Sequence, residues 1–308
     1  MAEMQTDQMQ MDETQGEAAS IAAASRDGAG GPRTRSSLLH DLRTLGVQPG
    51  MTVMVHASMS RLGWVAGGPV AVILALLDAV GEEGTIAMPS FSGDLTEPSH
   101  WQHPPVPEHW YQSIRDETPA FDPLLTPTRM MGRVAETFRT WPGTVRSIHP
   151  HVSVAARGPL ARQITEGHQL EDSMGEGSPF ARLYDAGAYV LQLGTDRNSC
   201  LHLAEHRSGL RGRVTQGALI VEDGKRVWKV FDDLDYDDDS FPAVKAAFEA
   251  SGGMKVGQVG SATSRLMPAR ALVDFAAQWF RADPAVAEPK AARARGLTAS
   301  PPFPTLWA

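Results

Sequence analysis

Apolar residues in SSLLHDLRTLGVQPG fall at Leu38, Leu39, Leu42 and Leu45, which is one stripe of a helix. Ser36 stands where a cap is needed and Gly46 where the helix should stop. MTVMVHAS (51–58) is a short β-rich run that ends in small and polar residues. A glycine turn, the helical GGPVAVILALLDAVG and a second β-rich run, TIAMPSF, follow it. Strand, helix and strand in about 40 residues predict an α/β layer with at least part of its sheet parallel.

The pattern then breaks. Residues 92–128 are rich in proline, carry Trp101, Trp110 and Tyr111, and keep no regular period. Such a segment is either a lid or binding loop, or a surface excursion pinned by its tryptophans. Beyond it alternation resumes: MGRVAETFRTW reads as helix, VSVAA as strand, PLARQIT as helix, and SPFARLYD as helix with Ser178 as cap and Pro179 in the first turn. AYVLQLG is a buried strand that feeds NSCLHLAEHR. ALIVEDGKRVWKVF predicts a hairpin across Asp223-Gly224, SFPAVKAAFEASGG a helix, and PARALVDFAAQWFRAD a closing amphipathic helix. No internal repeat is present. The chain divides into a disordered tail over 1–34, poor in large branched apolar residues, one α/β domain over 35–283, and an irregular Pro- and Ala-rich tail over 284–308.

Composition narrows the class. At 308 residues, 42% hydrophobic and 21% charged, the chain reads as a soluble globular protein. It has no apolar run near the roughly 20 residues that span a bilayer. The N-terminus lacks a secretory pattern, so a cytoplasmic location is expected. The single cysteine, Cys200, excludes an internal disulfide and a multi-thiolate metal cage. With 36 acidic against 28 basic residues, a net −8, neither nucleic acid nor an anionic membrane is a natural partner, whereas a polycation is permitted. No feature speaks to oligomeric state.

Two patterns carry candidate chemistry. His202, Glu205 and His206 spell H-x-x-E-H, and on a helix these positions share a face on which two imidazoles can chelate zinc. A catalytic zinc needs a further ligand, and the next helix-borne acid, Glu249, has no supporting context. The other reading starts from position: His202 opens a helix after a buried strand, where α/β proteins present reactive groups, and an imidazole held by a carboxylate can serve as a base there. On that reading His206 is incidental and Glu205 is a contact to the base or the substrate. The second pattern is the stretch 222–239, with eight acids against three bases. It is either a solvated loop or, beside a histidine base, a cradle for ammonium groups. Asp94 is a further acid of this kind.

LGVQPGMTVMVHASMSRLGWVAGGP, GTIAMPSFSG, FDP, RSIHPHVSVAARGP, GEGSPFARL, LQLGTDRNSCLHLAE and VWKVFDDLDYDD occur in that order over roughly 36–282. In these strings the chain resembles the antibiotic N-acetyltransferase family, the aminoglycoside 3-N-acetyltransferases. The resemblance implies a single-domain α/β fold with a central mixed sheet flanked by helices, distinct from the common acyltransferase fold. It implies acetyl transfer from acetyl-CoA to the 3-amino group of an aminoglycoside's 2-deoxystreptamine ring, with no metal. Carried over, the catalytic histidine is His202 and its carboxylate partner is Asp232, within a register ambiguity shared with Asp233, Asp235 and Asp237. Those three acids, with Asp94 and Glu205, are the candidate substrate contacts.

The cofactor side falls on VHASMSRLGWVAGG. Ala57, Ser58, Gly67 and Gly68 allow close backbone approach and Arg61 brings a positive charge; His56 is either a cofactor contact or a satisfied structural histidine, and Ser178 either a contact or only the cap of its own helix. As a bare pattern the glycine pair is only a turn. Cys200 is set aside as an acyl carrier, since residues two apart on a helix point away from each other. Direct transfer is expected, with His202 as general base. Three readings stand beside it: the same fold acting on another amine, a zinc hydrolase on His202, Glu205 and His206, and a non-catalytic polycation-binding protein.

Overall fold

A computed structural model describes Ile21, residues 31–101 and residues 104–282. The expected C-terminal tail and nearly all of the N-terminal one therefore lie outside the described residues. The first helix, α1 (Arg35–Leu45), buries Leu38, Leu42 and Leu45 as the stripe requires. Its cap is Thr34 rather than Ser36. Thr34 accepts from the Ser37 N–H and the Ser37 hydroxyl accepts from the Thr34 N–H, a reciprocal box that satisfies two donors at once. Gly46 ends the helix at φ 113°, which an L side chain rarely adopts.

Strand β1 (Thr52–Ala57), helix α2 (Gly68–Val80) and strand β2 (Thr85–Pro89) form the expected unit, with β1 and β2 parallel. The chain continues through α3 (Tyr111–Glu117), α4 (Gly132–Arg139), β3 (Val145–Arg146), β4 (Val154–Arg157), α5 (Ala161–Thr165), α6 (Pro179–Asp185), β5 (Tyr189–Leu193) and α7 (Leu201–Ser208). It then passes through β6 (Arg213–Glu222), β7 (Lys225–Leu234), α8 (Phe241–Ala250), β8 (Lys255–Val259), β9 (Ala262–Pro268) and α9 (Ala269–Ala282). Seven strands make one mixed sheet in the order β3-β4-β2-β1-β5-β9-β8. Its centre, β2-β1-β5, is parallel, and its flanks are antiparallel. Successive residues of β1 face opposite sides: Val53 and Val55 join the core with α1 and α2, while Met54 joins the one with α6, α7, α8 and α9. The hairpin β8–β9, which the apolar pattern did not announce, supplies one edge.

Strands β6 and β7 form a separate ribbon. Asp223 (φ 51°) and Gly224 (φ 72°) both take left-handed backbone at its tip, the turn whose twist matches an antiparallel pair. The segment 92–128 is more regular than expected, with three 3₁₀ turns and α3. It is pinned less by its own tryptophans than by the ribbon. Arg226 donates to the carbonyls of Arg115 and Thr118 at 2.7 Å each, and the Arg115 guanidinium lies 5.9 Å from the Tyr111 ring and 5.8 Å from that of Trp228. No helix among the described residues is long and apolar enough to cross a membrane.

Candidate active site

Strand β5 ends at Leu193, beside the end of its parallel neighbour β1, and residues 194–200 turn the chain into α7. His202 thus stands at the carboxyl edge of the sheet's parallel centre, where such sheets bind ligands. Leu201, Leu203 and Ala204 bury the helix against the core. Three residues on, Glu205 shares the face of His202, and its Oε2 lies 2.7 Å from the imidazole Nδ1.

Glu205 is fully buried, and its other oxygen, Oε1, accepts from Arg211 Nε (3.0 Å) and from the backbone N–H of Asp237 (3.2 Å). Arg211, its side chain only 5% exposed, also faces Asp237 Oδ2 at 3.4 Å. A carboxylate engaged by cationic and amide donors on one oxygen accepts from Nδ1–H on the other, which leaves the lone pair on Nε2 of His202. The imidazole keeps 15% of its side chain exposed, between the rings of Tyr236 (5.3 Å) and Phe241 (4.8 Å). Buried acid, oriented histidine and an open nitrogen are the parts of a general base.

Asp232, the expected partner, is elsewhere: it is exposed on β7 and accepts from the Thr215 hydroxyl at 2.8 Å across the ribbon. Strand alternation sends it out and its neighbour Asp233 in. Asp233 is buried on the Ser173 hydroxyl and the Leu234 N–H, and burial raises its carboxyl above the ordinary range. Of the other candidate substrate contacts, Asp237 joins the Glu205–Arg211 network, Asp235 is half-buried with its N–H on the Gly212 carbonyl, and Asp94 is exposed and paired with Arg129. The H-x-x-E-H letters do not all converge: His202 meets Glu205, but His206 turns elsewhere. His206 faces Asp172 at 3.3 Å, and among the described residues the acids and histidines close enough to share an ion are Asp237, Asp238 and Asp239. Cys200 is buried, and desolvation pushes its thiol up to about 12, which disfavours a nucleophilic thiolate.

On the cofactor side, the Ser58 N–H donates to the Leu193 carbonyl at 2.8 Å, which ties the exit of β1 to the turn that leads to His202. Arg61, exposed, packs on Gly194, where a Cβ would lie 2.5 Å from that of Arg61. Gly67 is left-handed at the start of α2, and a Cβ on Gly68 would meet nothing within 4 Å, so this edge is open to a ligand. Ala57, the last residue of β1, is half-buried. For two candidates the structure shows the structural alternative. His56 is turned inward: its Nε2 accepts from the Ser199 N–H at 3.0 Å, and burial lowers its pKa to about 3, so the ring is neutral. Ser178 is buried as the cap of α6, accepting from Phe180 and donating to the Gly175 carbonyl.

A second histidine group underlies the ribbon. His149 accepts from the N–H groups of His151 (3.1 Å) and Val152 (3.2 Å), His151 meets the Gly217 carbonyl (3.2 Å), and His168 bridges Ser147 Oγ (2.9 Å) and the Ser173 carbonyl (2.7 Å). Burial holds all three neutral, with His151 and His168 lowered to about 4. Arg211, Tyr236 and Phe241 were not expected at the site, because residues that meet through tertiary packing leave no short spacing to read; Ser199, three residues before His202, was not singled out either.

Known proteins share this arrangement of elements. The aminoglycoside N(3′)-acetyltransferase-like protein YokD of Bacillus subtilis (strain 168) is 49% identical over 252 residues, covering 81% of this chain and 93% of YokD. The YokD crystal structure superposes with a TM-score of 0.82, at 46% identity, covering 84% of this chain and 97% of that one. AAC-IIIb, solved as a binary complex with CoASH, has a TM-score of 0.74 at 33% identity, covering 82% of this chain and 97% of that one. AAC-VIa, solved bound to sisomicin, has a TM-score of 0.74 at 32% identity, covering 82% and 98%. Residues 54–281 match the family model described as aminoglycoside 3-N-acetyltransferase, and the chain belongs to that family of acetyltransferases.

Proposed function

We propose that the protein, working in the cytoplasm, transfers the acetyl group of acetyl-CoA to the 3-amino group of the 2-deoxystreptamine ring of aminoglycosides, with His202 as general base and Glu205 as the group that orients it. The observation that carries this reading is the 2.7 Å His202 Nδ1–Glu205 Oε2 contact, with the acid buried and the imidazole partly open at the sheet edge. The amine nitrogen attacks the thioester carbonyl carbon while Nε2 of His202 takes an amine proton. That attack makes the C–N bond; collapse of the tetrahedral intermediate then breaks the C–S bond and releases thiolate, to which the imidazolium returns the proton.

Acids around the site suit a polyamine. Asp233, Asp235 and Asp237 lie on the stretch that carries the Glu205 contact, and a chain of net charge −8 favours encounter with a polycation. CoASH bound to AAC-IIIb and sisomicin bound to AAC-VIa support the two substrate classes. Ala57, Ser58, Arg61, Gly67 and Gly68 are the residues assigned to acetyl-CoA. The test is release of free thiol from acetyl-CoA across a panel of aminoglycosides, with the product's acetylated nitrogen located by NMR. Thiol released only with unrelated amines would replace the aminoglycoside in this reading, and stoichiometric zinc lost on chelation together with a hydrolytic activity would replace the reaction.

A further inference from the structure

Three residues on adjacent strands stand in one row. His56 on β1 is in register with Gln192 on β5, and Gln192 with Arg265 on β9. In-register residues of neighbouring strands present their side chains to the same face. Each member of this row holds a different residue of the turn between β5 and α7. Arg265 faces the Asp196 carboxylate at 3.4 Å, Gln192 Nε2 donates to the Arg197 carbonyl at 2.9 Å, and His56 Nε2 accepts from the Ser199 N–H at 3.0 Å.

The helix that follows starts from this turn, where Asn198 Oδ1 accepts from the Cys200 N–H at 3.2 Å. Cys200, at its N-cap position, makes no side-chain cap hydrogen bond, and the His202 N–H donates back to the Ser199 carbonyl at 3.2 Å. Where Ser199 sits, His202 follows. Gln192 Oε1 is buried without a protein hydrogen-bond partner, as is Nδ1 of His56. A buried orphan acceptor costs free energy that an apolar residue of the same length would not.

We infer that His56, Gln192 and Arg265 are positioning residues for the acetyl transfer: together they clamp the turn 196–199 and so fix the imidazole of His202 at the sheet edge. The inference rests on the reaction proposed above, and it reassigns His56 from the cofactor to the base. Gln192→Met separates positioning from folding, since it removes the Nε2 bond and the orphan Oε1 at nearly constant volume. His56→Leu removes the acceptor for Ser199, and His56→Gln supplies another.

The experiment measures thiol-release kinetics, the melting temperature and the imidazole proton resonance of His202 in the whole chain for the wild type and all three variants. Expected for Gln192→Met is a melting temperature at or above that of the wild type, KM for both substrates within about twofold, kcat down about tenfold or more, and a shifted or broadened His202 Nδ1–H signal. His56→Leu should lose kcat and His56→Gln recover most of it. Wild-type kcat with an unchanged His202 resonance in Gln192→Met would overturn the inference. So would failure of that variant to fold, because the row would then be structural. If the wild type transfers no acetyl group, the proposed reaction fails, and the His202 resonance alone still decides whether the row positions the ring.

Discussion

His202 and the group His149, His151 and His168 are all histidines in polar strings of the same chain, yet the structure treats them oppositely. The three beneath the ribbon meet carbonyls, backbone N–H groups and a hydroxyl, and they are buried to the point that the charged form is disfavoured. His202 meets a buried carboxylate on one nitrogen and keeps part of its ring open. What separates the three packing histidines from the proposed base is therefore the partner: neutral groups hold the three, whereas a buried carboxylate holds His202 in the orientation the proposed reaction uses.

The largest effect should break the comparison outright. His202→Ala is expected to lower kcat by about a thousandfold while acetyl-CoA binding, followed by calorimetry, stays measurable. His151→Gln, which can still bond the Gly217 carbonyl, should keep kcat within about tenfold of the wild type and act mainly on the urea midpoint. Next in size is the network behind Glu205. Arg211→Met leaves the buried Glu205 and Asp237 without their cation, and the expected loss is about 3 kcal/mol or more in urea unfolding.

The third prediction concerns pH. His151 and His168 have folded pKa values of about 4 against 6.5 unfolded, so between those values the unfolded chain binds more protons. Their contribution to stability is complete above pH 6.5 and is lost as pH falls through 4, at about 1.4 kcal/mol per pH unit for each ring. Urea midpoints measured from pH 7.5 to 4.5 should fall accordingly. In His168→Gln the slope should be shallower, and an unchanged slope would remove His168 from the account.

Much of the fold was legible because its signals are local. The leucine stripe of α1, the β1–α2–β2 alternation and the Asp223-Gly224 turn each rest on a few adjacent residues. Hairpin β8–β9 was not, since β8 is an edge strand of mostly exposed residues, Val256 among them, and lacks the apolar face that marks a buried strand. At the site, His202 was readable from its place after a buried strand. The acid that meets it is the one at i,i+3, Glu205, a spacing shared with a metal-binding string, whereas Asp232, the partner that the resemblance implies, bonds Thr215 on the ribbon. Whether Asp232 or Asp233 points inward depends on a one-residue register that composition does not reveal. Arg211, six residues beyond Glu205, completes a network that exists only after β7 has delivered Asp237.

The smallest predicted effect belongs to Asp232, and set against Glu205 it gives the most direct test. Thiol-release kinetics should be measured side by side for Glu205→Gln and Asp232→Asn, each with its melting temperature. The account predicts that Glu205→Gln lowers kcat by about a hundredfold or more in folded protein while Asp232→Asn stays within about twofold of the wild type. A severe loss in Asp232→Asn with near-normal turnover in Glu205→Gln would contradict it.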